Sequence, residues 1–369
     1  MTQETFEREL ARRADEVHGA PLTFDVVSGR ARQIRRRRRT AVVAGVAAAV
    51  AAVVLVPTAL SGGGHDRAPE PAPAPTVPGA AVLHDGVVTL PGGGTVPVAV
   101  DNADVTQMSV LVDGRIVLAL QEPYGIQVYR PDGALEARYP VRYNVFATSA
   151  RDDVVAWVAK DLSVQVLSSG TTEPSTWPRI PRLPGTDGNI SAVLDADHLL
   201  IDDGTTTSVE MTADGETDLA TSEPFRVTDV SPDGSLWAVT TVPDVDSQFG
   251  CGGLYDPESA ALVARSCDVS GLRFSPDGEH LLSVRGDNNM AGEVKVVDRD
   301  LRTTDVVDTD VISRVAWDDS AHVLVAAVDL RSSQWSLTRL ELGGGDPEIV
   351  VPPSPGGNPE IMSEFTFSE

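Results

Sequence analysis

The residues with the plainest chemical potential are Cys251 and Cys267, the only two cysteines of the chain. Between them Tyr255-Asp256 runs into Pro257-Glu258-Ser259, a turn sequence, and Ala261–Arg265 runs away from it. Ser259 lies midway, which places the cysteines opposite each other across a hairpin, where Cβ atoms stand roughly 4.5–5.5 Å apart. In an oxidising compartment such a pair forms a disulfide, and a cross-link closing so short a loop contributes on the order of 3 kcal/mol. In a reducing compartment they are two free thiols. A metal site built on them lacks a third ligand nearby.

Other reactive types are scattered. The histidines are His18, His65, His84, His198, His280 and His322. His198, His280 and His322 occupy matching places in three copies of a repeat, so a shared metal would require ligands from several copies to converge on one axis. Acidic pairs occur at Asp195/Asp197, Asp202/Asp203, Asp244/Asp246 and Asp318/Asp319. None has the loop spacing that gathers about six to eight oxygens around Ca²⁺, and they read as solvated turn residues. Arg285-Gly286-Asp287 spells an adhesion-type tripeptide of a kind frequent by chance. There is no H-x-x-H, HExxH, G-x-S-x-G or phosphate-binding loop. No catalytic residue and no cofactor is expected.

The elements that would position these residues are short β-strands. From about Ala81 onward, β-type runs such as Gly114–Leu120, Val154–Ala159, Leu236–Thr241 and Val323–Val328 alternate with D-G, P-D-G and G-G turns, and no amphipathic helix interrupts them. The governing unit is Leu272 to Arg285, LRFSPDGEHLLSVR: a strand ending at Phe274, the turn Ser275-Pro276-Asp277-Gly278, and a second strand. Proline pre-sets φ, aspartate bonds its own backbone and glycine accepts φ > 0. Val227 to Ala238 repeats the unit around Ser231-Pro232-Asp233-Gly234, and weaker copies lie near 109–114, 146–157, 191–200 and 315–325. The first strands end at Leu111, Thr148, Leu194, Val230, Phe274 and Trp317, spaced 37, 46, 36, 44 and 43 residues apart. A period of about 40 residues with four strands per unit predicts an all-β propeller. Phe365-Thr366-Phe367-Ser368 repeats Leu272-Arg273-Phe274-Ser275 and then stops. Strands at Ala81–Asp85, Val87–Leu90 and Val96–Val100 can complete its blade, which closes the ring and makes seven blades; a misread weak unit would make six.

The F-S-P-D-G-x-x-L-L unit resembles the repeat of TolB-type and WD40-like (PD40-type) propellers. The Trp-Asp blade ending of eukaryotic WD40 repeats is absent, since Trp317-Asp318 falls at an A–B turn. The resemblance spans about 290 residues, with two strong units. It implies a fold and an interaction role, and it carries no catalytic residues because the motif is a structural turn.

The N-terminal part is different. Residues 1–39 read as a helical head, with Phe6, Leu10, Ala14 and Val17 at helical spacing. The head reads either as a docking element for a cytoplasmic partner or as a weakly ordered tail that sets topology. It ends in Arg35, Arg36, Arg37, Arg38 and Arg39. Residues 40–60 are an apolar run of about 20 residues; at about 1.5 Å per residue it spans the ~30 Å bilayer core. The arginines before it predict a single-pass helix with the N-terminus cytoplasmic and the body outside the cell membrane. A cleaved signal peptide is the alternative, but it would need an n-region of about 40 residues, and no good A-x-A site follows the run. Residues 61–80, SGGGHDRAPEPAPAPTVPGA, form a Gly/Pro-rich linker. This layout resembles single-pass actinobacterial membrane proteins with an extracytoplasmic WD40-like propeller at 81–369.

Charge follows the same division. Residues 1–40 hold ten Arg against six Asp/Glu, while the remainder holds 19 Lys/Arg against 48 Asp/Glu, a net of −29. An acidic body of that size repels nucleic acid, so none is expected as a partner. The expected partners are the membrane, an unidentified protein or small molecule at the propeller, and possible cytoplasmic contacts of the head. The expected function is a non-catalytic binding or sensing module. The alternatives are an envelope-assembly scaffold, or a propeller-type hydrolase or lactonase whose carboxylates and histidines would meet a metal at the central axis.

Overall fold

A computed structural model describes residues 79–368 apart from 181, 184–185, 203–205, 220, 222, 242–249, 285–290, 330–331, 333 and 356–364. The helical head, Arg35–Arg39, the apolar run at 40–60 and most of the linker lie outside the described residues, as does Arg285-Gly286-Asp287. Among the described residues no helix is long and apolar enough to cross a membrane.

The described chain is a ring of seven antiparallel blades, with strands A to D running from the axis outward. Blade 1 joins the two ends of the domain: strand A is Thr366–Phe367, and strands B to D are Val82–His84, Val87–Thr89 and Thr95–Pro97. Blade 2 is Val105–Val110, Ile116–Leu120, Gly125–Tyr129 and Leu135–Pro140. Blade 3 is Ala147–Thr148, Val154–Val158, Ser163–Ser168 and Ser175–Arg179. Blade 4 is Asn189–Val193, Leu199–Asp202, Thr207–Thr212 and Gly215–Asp218. Blade 5 is Phe225–Val230, Trp237–Thr241, Gly252–Asp256 and Ala261–Ser266. Blade 6 begins with Leu272–Phe274, His280–Val284 and Ala291–Asp298. The long strand Thr303–Asp319 then serves twice. Its first part is strand D of blade 6, pairing with Ala291–Asp298, and its last part is strand A of blade 7, pairing with His322–Asp329. Gln334–Glu341 and Glu348–Pro355 complete blade 7.

Five of the six internal repeat ends, Leu111, Thr148, Leu194, Val230 and Phe274, fall at the ends of A strands or one residue beyond them, and Trp317 falls two residues before the end of its strand. The ring closes as the sequence predicts: Val82 pairs with Phe367 and Leu83 with Thr366. The Ser368 N–H donates to Ala81 O at 3.0 Å, and the Ala81 N–H donates to Ser368 Oγ at 3.1 Å. Strand A of blade 7 reaches Asp319, which still pairs with His322, so Trp317-Asp318 belongs to the strand end and not to a free turn.

Seven apolar cores hold the ring, one between each pair of neighbouring blades. Leu83 and Val88 of blade 1 meet Met108 and Ile116 of blade 2, while Val117 and Ile126 of blade 2 meet Val155 and Trp157 of blade 3. The circuit ends where Leu324 and Trp335 of blade 7 pack on Val82, Phe365 and Phe367 of blade 1. Successive side chains of a strand point to opposite faces, so an inner strand covered on both faces reads as a continuous apolar run. Ile116–Leu120 and Val154–Val158 are of this kind, buried at every position. Outer strands are polar and mostly exposed, as Leu135–Pro140 and Gly215–Asp218 show.

The turn motif works as its residue types require. The Ser231 hydroxyl donates to Asp233 Oδ1 at 2.7 Å and accepts the Leu236 N–H at 2.9 Å; the Gly234 N–H donates to Ser231 O at 2.8 Å. Ser275 repeats this with Asp277 at 2.6 Å and with the His280 and Gly278 N–H groups at 3.0 and 2.8 Å. Gly234 and Gly278 stand at φ 75° and 73°, the left-handed region glycine enters without strain. Hydrogen bonds from Ser231 and Ser235 hold the Asp233 carboxyl down at about 2. Burial acts to raise Asp277, but the bonds from Ser275 and Glu279 lower it on balance.

Candidate functional site

Strands A of all seven blades surround a central channel. Its half nearer the A–B turns is a cavity of about 840 Å³ that receives residues from every blade, among them Gln107, Ala147, Ile190, Asp229, Phe274, Trp317 and Ser368. The half nearer the B–C and D–A loops is about 380 Å³, with Thr106, Ser191, Thr228 and Ser313 in its wall.

Those four hydroxyl residues have one structural role. In blades 2, 4, 5 and 7 the A–B pairing slips at this point, between Val105 and Gln107, Ile190 and Ala192, Val227 and Asp229, and Ile312 and Arg314. Thr106, Ser191, Thr228 and Ser313 are the residues left out. Each hydroxyl donates to a carbonyl of its strand B: Ala119 at 3.2 Å, Leu200 at 3.2 Å, Ala238 at 3.2 Å and Ala326 at 3.1 Å. A short hydroxyl side chain thus satisfies a carbonyl that the bulge takes out of the ladder. Thr106 also reaches Asn144 O at 2.6 Å and Thr228 reaches Leu272 O at 2.9 Å, tying each blade to the next. The residue after the bulge extends the tie in two blades: Gln107 Oε1 accepts the Phe146 N–H at 3.1 Å, and Asp229 Oδ2 accepts the Phe274 N–H at 2.7 Å. The channel wall is therefore fixed by side chain to backbone bonds between blades.

Charge divides along the axis. Asp152, Asp229 and Asp318 line only the turn-end half. Arg226 and Arg273 line both halves, and Arg314 lines only the loop-end half, where the described lining includes no carboxylate. Arg226 is anchored by Nε on Asp202 Oδ2 at 3.2 Å; the Asp202 side chain is 1% exposed and that of Arg226 46%. Arg314 Nη2 donates to Thr106 O at 3.1 Å, reaching from blade 7 past the short A strand of blade 1 to blade 2. The Arg273 carbonyl accepts the Trp317 indole N–H at 3.2 Å. Burial, aided by the adjacent charge of Asp153, pushes the Asp152 carboxyl up to about 6.

Asp318 joins the start of the described chain to blade 7. Its side chain is fully buried and pairs with the Arg339 Nε; it also accepts the N–H groups of Gly79 and of Ala80, the latter at 3.0 Å. Arg339 further donates to Asp319 at 2.6 Å and to Glu348 at 3.1 Å. Gly79 approaches so closely that a Cβ there would lie 2.4 Å from Asp318 O. Gly79 and Ala80, counted with the linker in the sequence, are thus bonded into the ring.

Cys251 and Cys267 are joined in a disulfide. They extend the ladder beyond the Gly252–Ser266 pair, at the loop end of strands C and D of blade 5. His198, His280 and His322 sit at the A–B turns of blades 4, 6 and 7 and are not brought together. His198 and His322 are held by Asp195 and Asp319 at 2.9 and 2.8 Å, the aspartate three residues before each. Among the described residues no group of three His, Cys, Asp or Glu could hold a metal ion. Asp203, Asp244 and Asp246 lie outside the described residues. Reading the sequence unit by unit did not single out Arg226, Arg273 and Arg314; they stand four, one and three residues before the first-strand ends Val230, Phe274 and Trp317, so no shared repeat position marks them.

The chain matches no family model and no curated protein. Solved structures similar to it include a eukaryotic initiation factor, with TM-score 0.43 and 13% identity over 74% of this chain and 85% of that one. A putative TolB from Agrobacterium tumefaciens gives TM-score 0.42 and 15% identity over 64% of this chain and 93% of that one. A mitotic checkpoint complex gives TM-score 0.46 and 10% identity over 80% of this chain and 90% of that one. At such identities and scores nothing about binding or activity transfers.

Proposed function

We propose that this chain is a membrane-anchored, extracytoplasmic propeller that acts as a non-catalytic binding or sensing module, its N-terminus in the cytoplasm. The observation that carries the reading is the channel, a cavity of about 840 Å³ fed by all seven blades whose wall side chains are fixed by hydrogen bonds. Ligand sites are concave, pre-formed and furnished with a few placed polar groups. Two features support the location. Arg35–Arg39 precede a bilayer-length apolar run, and the Cys251–Cys267 bond suits an oxidising compartment. The expected partners are a small molecule or protein at the ring, and a cytoplasmic contact for the head.

The test is protease accessibility of the body in intact cells, with gel mobility compared before and after reduction. A body cleaved from outside, with a mobility shift on reduction, supports the reading. A body reached only after lysis overturns the anchor, the location and the sensing role together. A body released into the medium replaces the anchor with a secreted propeller and removes any signalling role for the head.

A further inference from the structure

Arg226, Arg273 and Arg314 come from strands A of blades 5, 6 and 7, three consecutive blades, and all face the loop-end cavity of about 380 Å³. The rest of the described wall is apolar or hydroxyl-bearing: Ile190, Ile312, Val315 and Phe367 beside Thr106, Ser191, Thr228 and Ser313. Beyond residue 40 this chain carries a net charge of −29. A dispersed surface of that sign repels small anions, and only a local concentration of guanidinium groups reverses the potential. Arginine presents planar, forked donors that match carboxylate and phosphate oxygens in pairs. Arg226 is held before any ligand arrives by Asp202 at 3.2 Å, and Arg314 by Thr106 O at 3.1 Å. Such fixed donors lower the ordering cost of binding.

We infer that the loop end of the channel binds a small polyanion, a molecule carrying two or more carboxylate or phosphate groups, clasped by Arg226, Arg273 and Arg314. This deepens the binding-module reading and rests on it. The cavity is at the small end of the range for ligand sites, which fits a compact metabolite better than a folded partner. The apolar wall accommodates a short carbon skeleton between the charged groups.

The experiment uses the full-length chain in detergent, at low ionic strength, with citrate and pyrophosphate as separate probes. Calorimetric titration measures affinity. Phenylglyoxal modification with and without probe, read by peptide mass spectrometry, reports which arginines are protected. Expected is saturable 1:1 binding of one of the two probes, with Arg226, Arg273 and Arg314 protected and the exposed Arg138 still modified. The probe that binds tells carboxylate from phosphate chemistry. Each of Arg226→Gln, Arg273→Gln and Arg314→Gln should weaken binding about tenfold, as loss of one charged hydrogen-bonding group does; Arg138→Gln should not. The footprint on the unaltered chain decides the matter if a variant fails to fold. Absence of saturable heat with both probes, protection spread equally over Arg138, or protection only by an acidic peptide overturns the inference. The solution assay does not depend on which side of a membrane the body lies, so its failure and a failed location test are distinguishable.

Discussion

The two ends of the channel are made by the same strands, yet they are built differently. At the turn end the connections are short, and carboxylates hold them. Asp233 and Asp277 fold their own turns, Asp195 and Asp319 fix the following histidines, and Asp318 binds Arg339 and the incoming backbone. Negative charge there is used locally and mostly satisfied within a few residues. At the loop end positive side chains line the axis, and a covalent bond at Cys251–Cys267 secures blade 5. The turn end, around the larger half of the channel, is therefore braced by carboxylates, while the loop end carries the arginines on which the proposed anion site rests.

This division is broken most forcefully at Asp318. Asp318→Ala removes the fully buried partner of Arg339, which keeps Asp319 and Glu348, and leaves the Gly79 and Ala80 N–H groups without their acceptor. The expected loss is on the order of 3–4 kcal/mol, from one charged pair and two backbone N–H groups losing their acceptor, read as a lower urea midpoint. If the turn end is only the brace, anion binding at the other end should survive in the fraction that stays folded.

The loop end has its own structural test. Replacing Cys251 and Cys267 together by serine, or reducing them, should lower stability by about 3 kcal/mol through the freed unfolded chain. Equal urea midpoints with and without reductant would show that blade 5 needs no staple.

Asp152 sharpens the comparison through pH. Its folded carboxyl titrates near 6 against 3.8 ordinarily, raised by burial and by Asp153. The folded state therefore holds the proton more tightly, so this group's penalty is absent below about pH 4, grows as pH rises through 6 and is complete above it. Asp152→Asn should raise stability at pH 7.5 by on the order of 2 kcal/mol and change little at pH 4. Urea titrations at the two pH values check it; an equal effect at both would place the cause outside titration. The smallest effect belongs to the bulges. Thr228→Val removes the bonds to Ala238 O and Leu272 O and should cost about 1 kcal/mol, seen as a small shift in midpoint with an unchanged denaturant slope.

Much of the turn end was legible in the sequence because its chemistry is local. Ser231–Gly234 and Ser275–Gly278 contain every residue that their turns require, so reading fourteen residues is enough to place two strands. The disulfide was legible for the same reason, since one hairpin brings its partners together. The outer strands were harder to see. Leu135–Pro140 and Gly215–Asp218 are paired on one edge and exposed on much of their surface, so their composition resembles that of loops. The arginine mouth was the least visible part. Residues 226, 273 and 314 are separated by about one repeat each, and only closure of the ring makes them neighbours. The bulge hydroxyls were hidden similarly: a lone Thr or Ser in a strand looks ordinary until four of them prove to occupy one station.

The clamp at Gly79 has a mechanical meaning. Tension applied to the segment ahead of residue 79 does not first peel Val82–His84 from its neighbours, the weak direction in which a strand pair unzips one bond at a time. The load is delivered to Asp318 and spreads through Arg339 to Asp319 and Glu348, across three strands of blade 7. The start of the described chain is thus held by blade 7 as well as by its own strand pairing. Arg314 belongs to that same blade, so one blade carries both the clamp on Gly79 and a side chain of the loop-end cavity.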